Sequence, residues 1–170
     1  MALRYENLDD KTRAFMLSEY DRDSDDGQLY VCKRLKSAGQ RHFPGLLRES
    51  IGQHDDAWLA RQLCDLLLLS SSSGPGQAEA GTRMADGIAE GEFNRYYMRG
   101  LCARAVAEGV AQVQVYRAKV VATRNASTLE SIGQFLSPAT VLAEFHSSHQ
   151  TDPALASPFG ADTGLSMRFV

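Results

Sequence analysis

The stretch EGEFNRYYMRGLC, residues 90–102, predicts a long amphipathic helix that continues to about residue 108. On a helix with about 100° per residue, one face is an apolar row. That row consists of Phe93, Tyr97, Leu101 and Ala105, with Met98 beside it. A charged row on the other side contains Glu92, Arg95 and Arg99, at spacings that allow ion pairs along the helix. Most of this stretch is therefore explained by packing.

Asn94 does not fit this division, because it falls on the apolar side between Met98 and Leu101. A buried amide without a hydrogen-bond partner costs about 1–3 kcal/mol. Asn94 therefore needs a partner, which is either the backbone of a neighbouring strand or a ligand. We favour the first alternative, in which Asn94 joins the helix to a strand.

Two arginines of the charged row are candidates for anion binding. Arg95 and Arg99 could bind phosphate or carboxylate from one exposed face, and Arg117, Lys119 and Arg124 would extend it into a basic patch. The simpler alternative is that these charges are solvated at the surface. The candidate binding residues are Asn94, Arg95, Arg99 and Arg117. No catalytic residue and no metal ligand is assigned.

The first half of the chain predicts helices with one strand between them. Asn7 or Asp9 begins the first helix, and the acidic run 21–26 with Gly27 ends it. Residues 28–35, QLYVCKRL, have strand character. A second helical region starts near Pro44, is interrupted at Gly52 and resumes at Asp55.

The second half predicts the order helix, strand, helix, strand. A helix from about Asp86 ends near Gly109, which suits a left-handed cap. The alternation in 111–122 predicts a strand, Ser137-Pro138 begins another helix, and residues 163–170 form the last strand. The sequence thus predicts an α+β fold in which about four helices cover a small sheet.

Residues 66–81 break the pattern with four serines and a Gly-Pro-Gly triplet. Such residues gain little from packing and lose much entropy on ordering, so an exposed Ser/Gly-rich loop is expected at about 70–81. Each half of the chain is small for a domain. We therefore expect residues 1–170 to form a single domain with this loop on its surface.

Composition narrows the class of protein. The chain is 44% hydrophobic and 23% charged, as in globular proteins, and its net charge of −3 argues against a dedicated nucleic-acid binder. Cys32, Cys64 and Cys102 are odd in number and far apart, so free thiols in a reducing compartment are expected. No apolar signal core or membrane-length run occurs, which predicts a soluble intracellular protein without membrane contact.

Two motifs resemble metal sites without completing one. DRDSDDG, residues 21–27, places acids like a calcium loop, but the sixth position is Asp26 and the twelfth is Cys32 where glycine and glutamate are required. His146 and His149 form HxxH, which Asp152 extends to HxxHxxD. The helix is predicted to end here, so spacing does not fix a third ligand beside the two histidines. We expect no metal in either segment.

Motifs for nucleotide binding and hydrolysis are absent. The sequence contains no GxGxxG, no GxxxxGK[ST] and no GxSxG. A cysteine–histidine pair formed in space remains open, because spacing neither favours nor excludes it. The sequence favours a protein that is not an enzyme and predicts no cofactor.

Three segments carry a resemblance to a known group of proteins. EGEFNRYYMRGLCARA, VYRAK and the closing GLSMRFV resemble small proteins encoded by tailed bacteriophages and prophages, and the likeness extends loosely to LRYENLDDKTRAFML. The resemblance implies a phage context and a virion-associated or accessory role. It implies synthesis in the host cytoplasm, with incorporation into the virion as an option. It assigns no catalytic residue.

Two hypotheses follow. The first is a non-enzymatic interaction or assembly protein, such as a phage virion or head/tail component that contacts copies of itself or other phage structural proteins. Its serine loop and end segments would be contact elements that order on binding. The alternative is a phage accessory factor, or an enzyme, that binds a small molecule or nucleic acid through Asn94, Arg95, Arg99 and Arg117.

Overall fold

The computed structural model describes residues 2–65, 77–121, 126–147, 159 and 163–170. In chain order its elements are α1 (Asp10–Asp25), α2 (Ser37–Gln53), α3 (Asp56–Asp65), α4 (Gln77–Glu108), β1 (Val113–Arg117), α5 (Ala126–Ser131), β2 (Phe135–Leu136), α6 (Pro138–Ser147) and β3 (Leu165–Phe169). The predicted α+β class is confirmed. The described residues contain six helices, against about four expected.

The helix α4 lies at the centre of the fold. It contacts α1, α2, α3, α6 and β3, so its buried residues face neighbours on all sides. It begins at Gln77, earlier than the predicted Asp86, so residues 77–81 are helical and not part of a loop. Residues 70–76 of the predicted loop lie outside the described residues. The helix ends at Glu108, and Gly109 follows with a φ of 71°, as predicted.

Both predicted ends of α1 are confirmed, since the helix follows Asp9 and stops at Asp25, within the acidic run 21–26. The Asp9 side chain caps the helix by accepting the N–H of Thr12 at 2.8 Å. The helix then continues to Asp25, and the chain turns at Gly27, whose φ is 65°. Asp21, Asp23 and Asp25 belong to the helix, and Asp23 is buried against α4 and paired there.

The strand predicted for residues 28–35 is wrong. This segment is an irregular connection between α1 and α2, in which Cys32 and Leu35 are buried in the core. β-propensity reflects packing in a sheet more than an intrinsic backbone preference, and here tertiary packing decides. The helix α2 starts at Ser37 and contains Pro44, instead of starting there. The restart at Asp55 is confirmed, since its carboxylate accepts the N–H of Trp58 at 2.8 Å.

The sheet is antiparallel with the order β2-β1-β3. The predicted strand around β1 and the last strand, β3, are both confirmed, as is the helix that begins at Pro138. The strand β1 ends at Arg117, so the end of the predicted strand 111–122 lies beyond it, and Val120 there is exposed. The short α5 and β2 were not predicted.

The sequence predicted free cysteine thiols and no contact with a membrane. Cys32 and Cys102 are buried, Cys64 is half-buried, and all three are free thiols. Burial raises the pKa of Cys102 to about 12, which disfavours its reactive thiolate form. Within the segments that the structure describes, no helix has both the length and the apolar character needed to cross a bilayer.

Candidate functional site

Asn94 joins α4 to the strand β3. Its amide nitrogen donates to the Leu165 carbonyl at 2.9 Å, and its Oδ1 accepts from the Ser166 hydroxyl at 2.7 Å. The residue is only 3% exposed. These contacts are the ones expected from the first alternative, in which Asn94 joins the helix to a strand. A binding role for Asn94 remains a prediction, and both ends of its amide already have partners within the protein.

Arg99 faces the helix α1 and is 0% exposed. Its guanidinium donates to Glu19 Oε2 at 2.8 and 3.0 Å and to the two carboxylate oxygens of Asp23 at 2.5 and 2.9 Å. The Tyr96 hydroxyl also donates to Asp23, at 2.8 Å. We call Glu19, Asp23, Tyr96 and Arg99 the buried network. The expectation that Arg99 lies on an exposed face is wrong, because α1 covers this side of α4.

The pKa shifts of Arg99 and Asp23 favour the charged forms of both groups. Burial alone would lower the pKa of Arg99, but the hydrogen bonds and charges of Asp23 and Glu19 outweigh it and raise that pKa. Burial alone would raise the pKa of Asp23, but the hydrogen bond and charge of Arg99 outweigh it and lower that pKa. Each group therefore stabilises the charged form of the other, and the guanidinium is engaged with carboxylates of its own chain.

Arg95 is buried too, so it also departs from the predicted exposed face. Its guanidinium lies 3.1 Å from the Glu92 carboxylate, one turn earlier on α4, as the spacing allowed. It also lies 5.1 Å from the centre of the Tyr96 ring, and Arg99 lies at the same distance from that ring. The structure thus brings Arg95 and Arg99 together around Tyr96, in the interior.

Arg117 lies elsewhere, half-buried on β1 and opposite Leu165 of β3. Of the residues expected to join it, Lys119 forms an ion pair with Glu90 and Arg124 lies outside the described residues. Arg95 and Arg99 are too deeply buried to contribute to a surface patch. The predicted binding set therefore does not form one exposed basic face, and a role for Arg117 remains a prediction.

His146, from the HxxH motif, contacts the edge of the buried network. Its Nε2 lies 2.7 Å from Glu19 Oε2, and both of its ring nitrogens lie 3.1 Å from the Arg22 guanidinium. His149 and Asp152 lie outside the described residues. In the described ranges, no three His, Cys, Asp or Glu side chains are placed to hold a metal ion.

Sequence reasoning missed a cavity of about 340 Å³ between α3 and α4. We call it the acidic cavity, because four carboxylates line it: Asp56, Asp65, Asp86 and Glu90. Asp56 is 1% exposed, and its Oδ2 accepts the Leu3 N–H at 3.1 Å. Burial is the main cause that raises the pKa of Asp56 to about 6, and the charge of Glu90 adds to it. The signals in the sequence were the Asp55-Asp56 pair and the four-residue spacing of Asp86 and Glu90.

A second feature that sequence reasoning missed is an exposed apolar segment, residues 129–135. Leu129 of α5 is 45% exposed, Ile132 of the following turn 36% and Phe135 of β2 50%, at intervals of three residues. Single exposed apolar residues are common, but clustered ones often mark interaction sites. The three-residue spacing was readable, but without a predicted helix there it had no meaning.

The two edges of the sheet differ. The register places the backbone groups of Leu165 and Phe169 on the outer edge of β3, where Asn94 bonds the first and the Asn7 side chain accepts the Phe169 N–H at 2.9 Å. On the other side, the register turns the N–H and C=O of Phe135 away from β1. Among the described residues, nothing hydrogen-bonds to Phe135 on that side. The β2 edge is therefore open to a further strand there.

Comparison of the chain with protein-family models, with curated proteins and with solved structures finds no match.

Proposed function

We propose that this chain is a non-enzymatic interaction and assembly protein that associates with copies of itself through the β2 edge and the exposed apolar segment. The observation that carries the proposal is the exposure of Leu129, Ile132 and Phe135 beside an open strand edge. The resemblance to proteins of tailed phages supports a virion or head/tail accessory role, with other phage structural proteins as further partners.

A second copy is the partner that this edge fits best. Two β2 edges related by a twofold axis would pair antiparallel and place the same apolar residues opposite each other, which makes the surface self-complementary. The chain termini are less available for this purpose. The Arg4 N–H donates to the Ala118 carbonyl at 3.0 Å, and the outer edge of β3 is hydrogen-bonded by the side chains of Asn94 and Asn7. A contact role for the end segments remains a prediction, and their contacts within the chain favour the β2 edge instead.

The alternative function, ligand binding by the Asn94–Arg99 face, has less support. Asn94 and Arg99 already use their polar groups on β3 and α1, and Arg95 is buried beside Glu92 and Tyr96. A ligand would have to displace these partners. The described structure thus favours a scaffold role for these three residues.

The test is the solution mass across a wide concentration range, by size-exclusion chromatography with light scattering. We expect a concentration-dependent dimer, and Phe135→Lys should raise its dissociation constant by at least about tenfold. Val106→Lys is the matched control, because Val106 is 49% exposed but lies on α4. A monomer at every concentration, or an equal effect of both variants, would contradict the proposed interface.

A further inference from the structure

We propose that the acidic cavity binds an alkylammonium group, supplied by a small diamine or by a lysine side chain. The cavity measures about 340 Å³, which is in the usual range for small-molecule sites. Asp56 lines it from the start of α3, while Asp86 and Glu90 line it from α4. This site is separate from the β2 edge and does not depend on self-association.

Asp56 supplies the first argument, because one of its oxygens lacks a partner. Oδ2 accepts the Leu3 N–H, but Oδ1 is buried and has no hydrogen bond to any described residue. A buried acceptor without a donor is costly, and more so when it is charged. An ammonium group in the cavity would provide both a donor and a compensating charge.

The charge of the lining supplies the second argument. Only Glu90 has a cationic partner, the Lys119 ammonium, whereas Asp65 and Asp86 form no ion pair with any residue that the structure describes. Arg61 also lines the cavity. Among the described lining residues and their partners, four carboxylates face these two cations, so this part of the site is negative even though Arg61 is present. A bound cation would be favoured in such a site.

The shape of the lining selects an alkylammonium over a metal ion. The described His, Cys, Asp and Glu side chains do not converge on one point as metal ligands must. The carboxylates instead surround a volume whose wall also includes Ala2, Ala57 and Ala60. An alkylammonium matches this wall, because it joins three N–H donors to an apolar stem.

The test is titration of the full chain with cadaverine, followed by two-dimensional NMR of the backbone amides, with pentanediol as the neutral probe. We expect saturable shifts around α3 and α4 with cadaverine and none with pentanediol. Asp56→Asn and Asp86→Asn should each weaken binding by at least about tenfold. Asp86 is half-buried, so its variant remains informative if Asp56→Asn does not fold.

Asp26→Asn is the matched control, since it removes the same charge from an exposed position after α1. Cadaverine binding should be unchanged in it. Absence of saturable binding, or equal weakening by Asp26→Asn and Asp86→Asn, would overturn the proposal.

A parallel titration with Nα-acetyl-lysine methylamide, whose side-chain ammonium is free, distinguishes the two sources of the ammonium group. Tighter binding of cadaverine assigns the site to a free diamine, and tighter binding of the lysine amide assigns it to a side chain of a protein partner. Either result supports an alkylammonium site, and a failed dimerisation test leaves it unaffected because the two surfaces share no residue.

Discussion

The helix α4 packs against α1 and α3 through two sets of acidic residues, which differ in the hydrogen bonds and cations that they receive. Toward α1, Glu19 and Asp23 are buried and receive hydrogen bonds from Arg99. Toward α3, Asp56 is equally buried but receives one backbone hydrogen bond and no cation from the described residues. A buried carboxylate with a full set of donors holds helices together, whereas one without them is a candidate site.

The largest effect on stability is expected when the cation that pairs with Glu19 and Asp23 of α1 is removed. Arg99→Ala would leave two buried carboxylates without their cation, which costs about 3–5 kcal/mol in comparable cases. We expect the free energy of unfolding to fall by about this amount, measured by urea denaturation followed by circular dichroism.

Arg48→Ala is the control for that change. Arg48 pairs with Asp21 at 3.1 Å, but both side chains are about half exposed, so the loss should be below about 1 kcal/mol. Equal losses of unfolding free energy in the two variants would show that the buried network stabilises the protein no more than an exposed ion pair does.

The next effect concerns the α3 side and depends on pH. The pKa of Asp56 in the folded protein is about 6, above its ordinary value of 3.8, so the folded state binds more protons between these values. The free energy of unfolding therefore falls as pH rises through this window, by up to about 3 kcal/mol from this group. Asp56→Asn should remove that fall.

The measurement is urea denaturation of both proteins at several pH values between about 4 and 8. The difference between the two curves isolates Asp56 from the other groups. Asp23, by contrast, has a lowered pKa, so its contribution is lost only as pH falls below its ordinary value of 3.8. Parallel curves for the wild type and Asp56→Asn would contradict the assignment of a raised pKa to Asp56.

Local signals predicted much of this fold. Asp9 as a helix cap, Gly109 after α4 and Pro138 at the start of α6 each act through contacts with nearby backbone, so the sequence around them carries the information. The need of Asn94 for a partner could also be predicted, because its position on the apolar side of α4 follows from spacing alone.

The surroundings of α4 could not be predicted in this way. A helix that is covered on several sides buries its charged row, and spacing along one helix does not show what packs against that row. One signal was present: Glu19 and Asp23 are four residues apart, as are Arg95 and Arg99. The acidic cavity had a similar signal in Asp86 and Glu90, which are also four residues apart, but nothing in the sequence brings Asp56 to them.

The smallest expected effects compare how closely α4 is packed at two of its glycines. A Cβ at Gly100 would lie 2.5 Å from Met16 Cγ and 2.7 Å from the Met16 backbone nitrogen, so α1 would have to shift. At Gly87, next to the acidic cavity residue Asp86, a Cβ would meet nothing within 4 Å. Gly100→Ala should therefore destabilise the protein by about 1–3 kcal/mol.

Gly87→Ala should do the reverse and stabilise it by up to about 1 kcal/mol, because alanine favours helix more than glycine does. Thermal unfolding of the two variants against the wild type gives both signs in one experiment. The comparison is sharp because both substitutions add one methyl group to the same helix, so their difference reports the packing alone. If Gly100→Ala were also stabilising, α1 could not approach α4 as closely as the buried network requires.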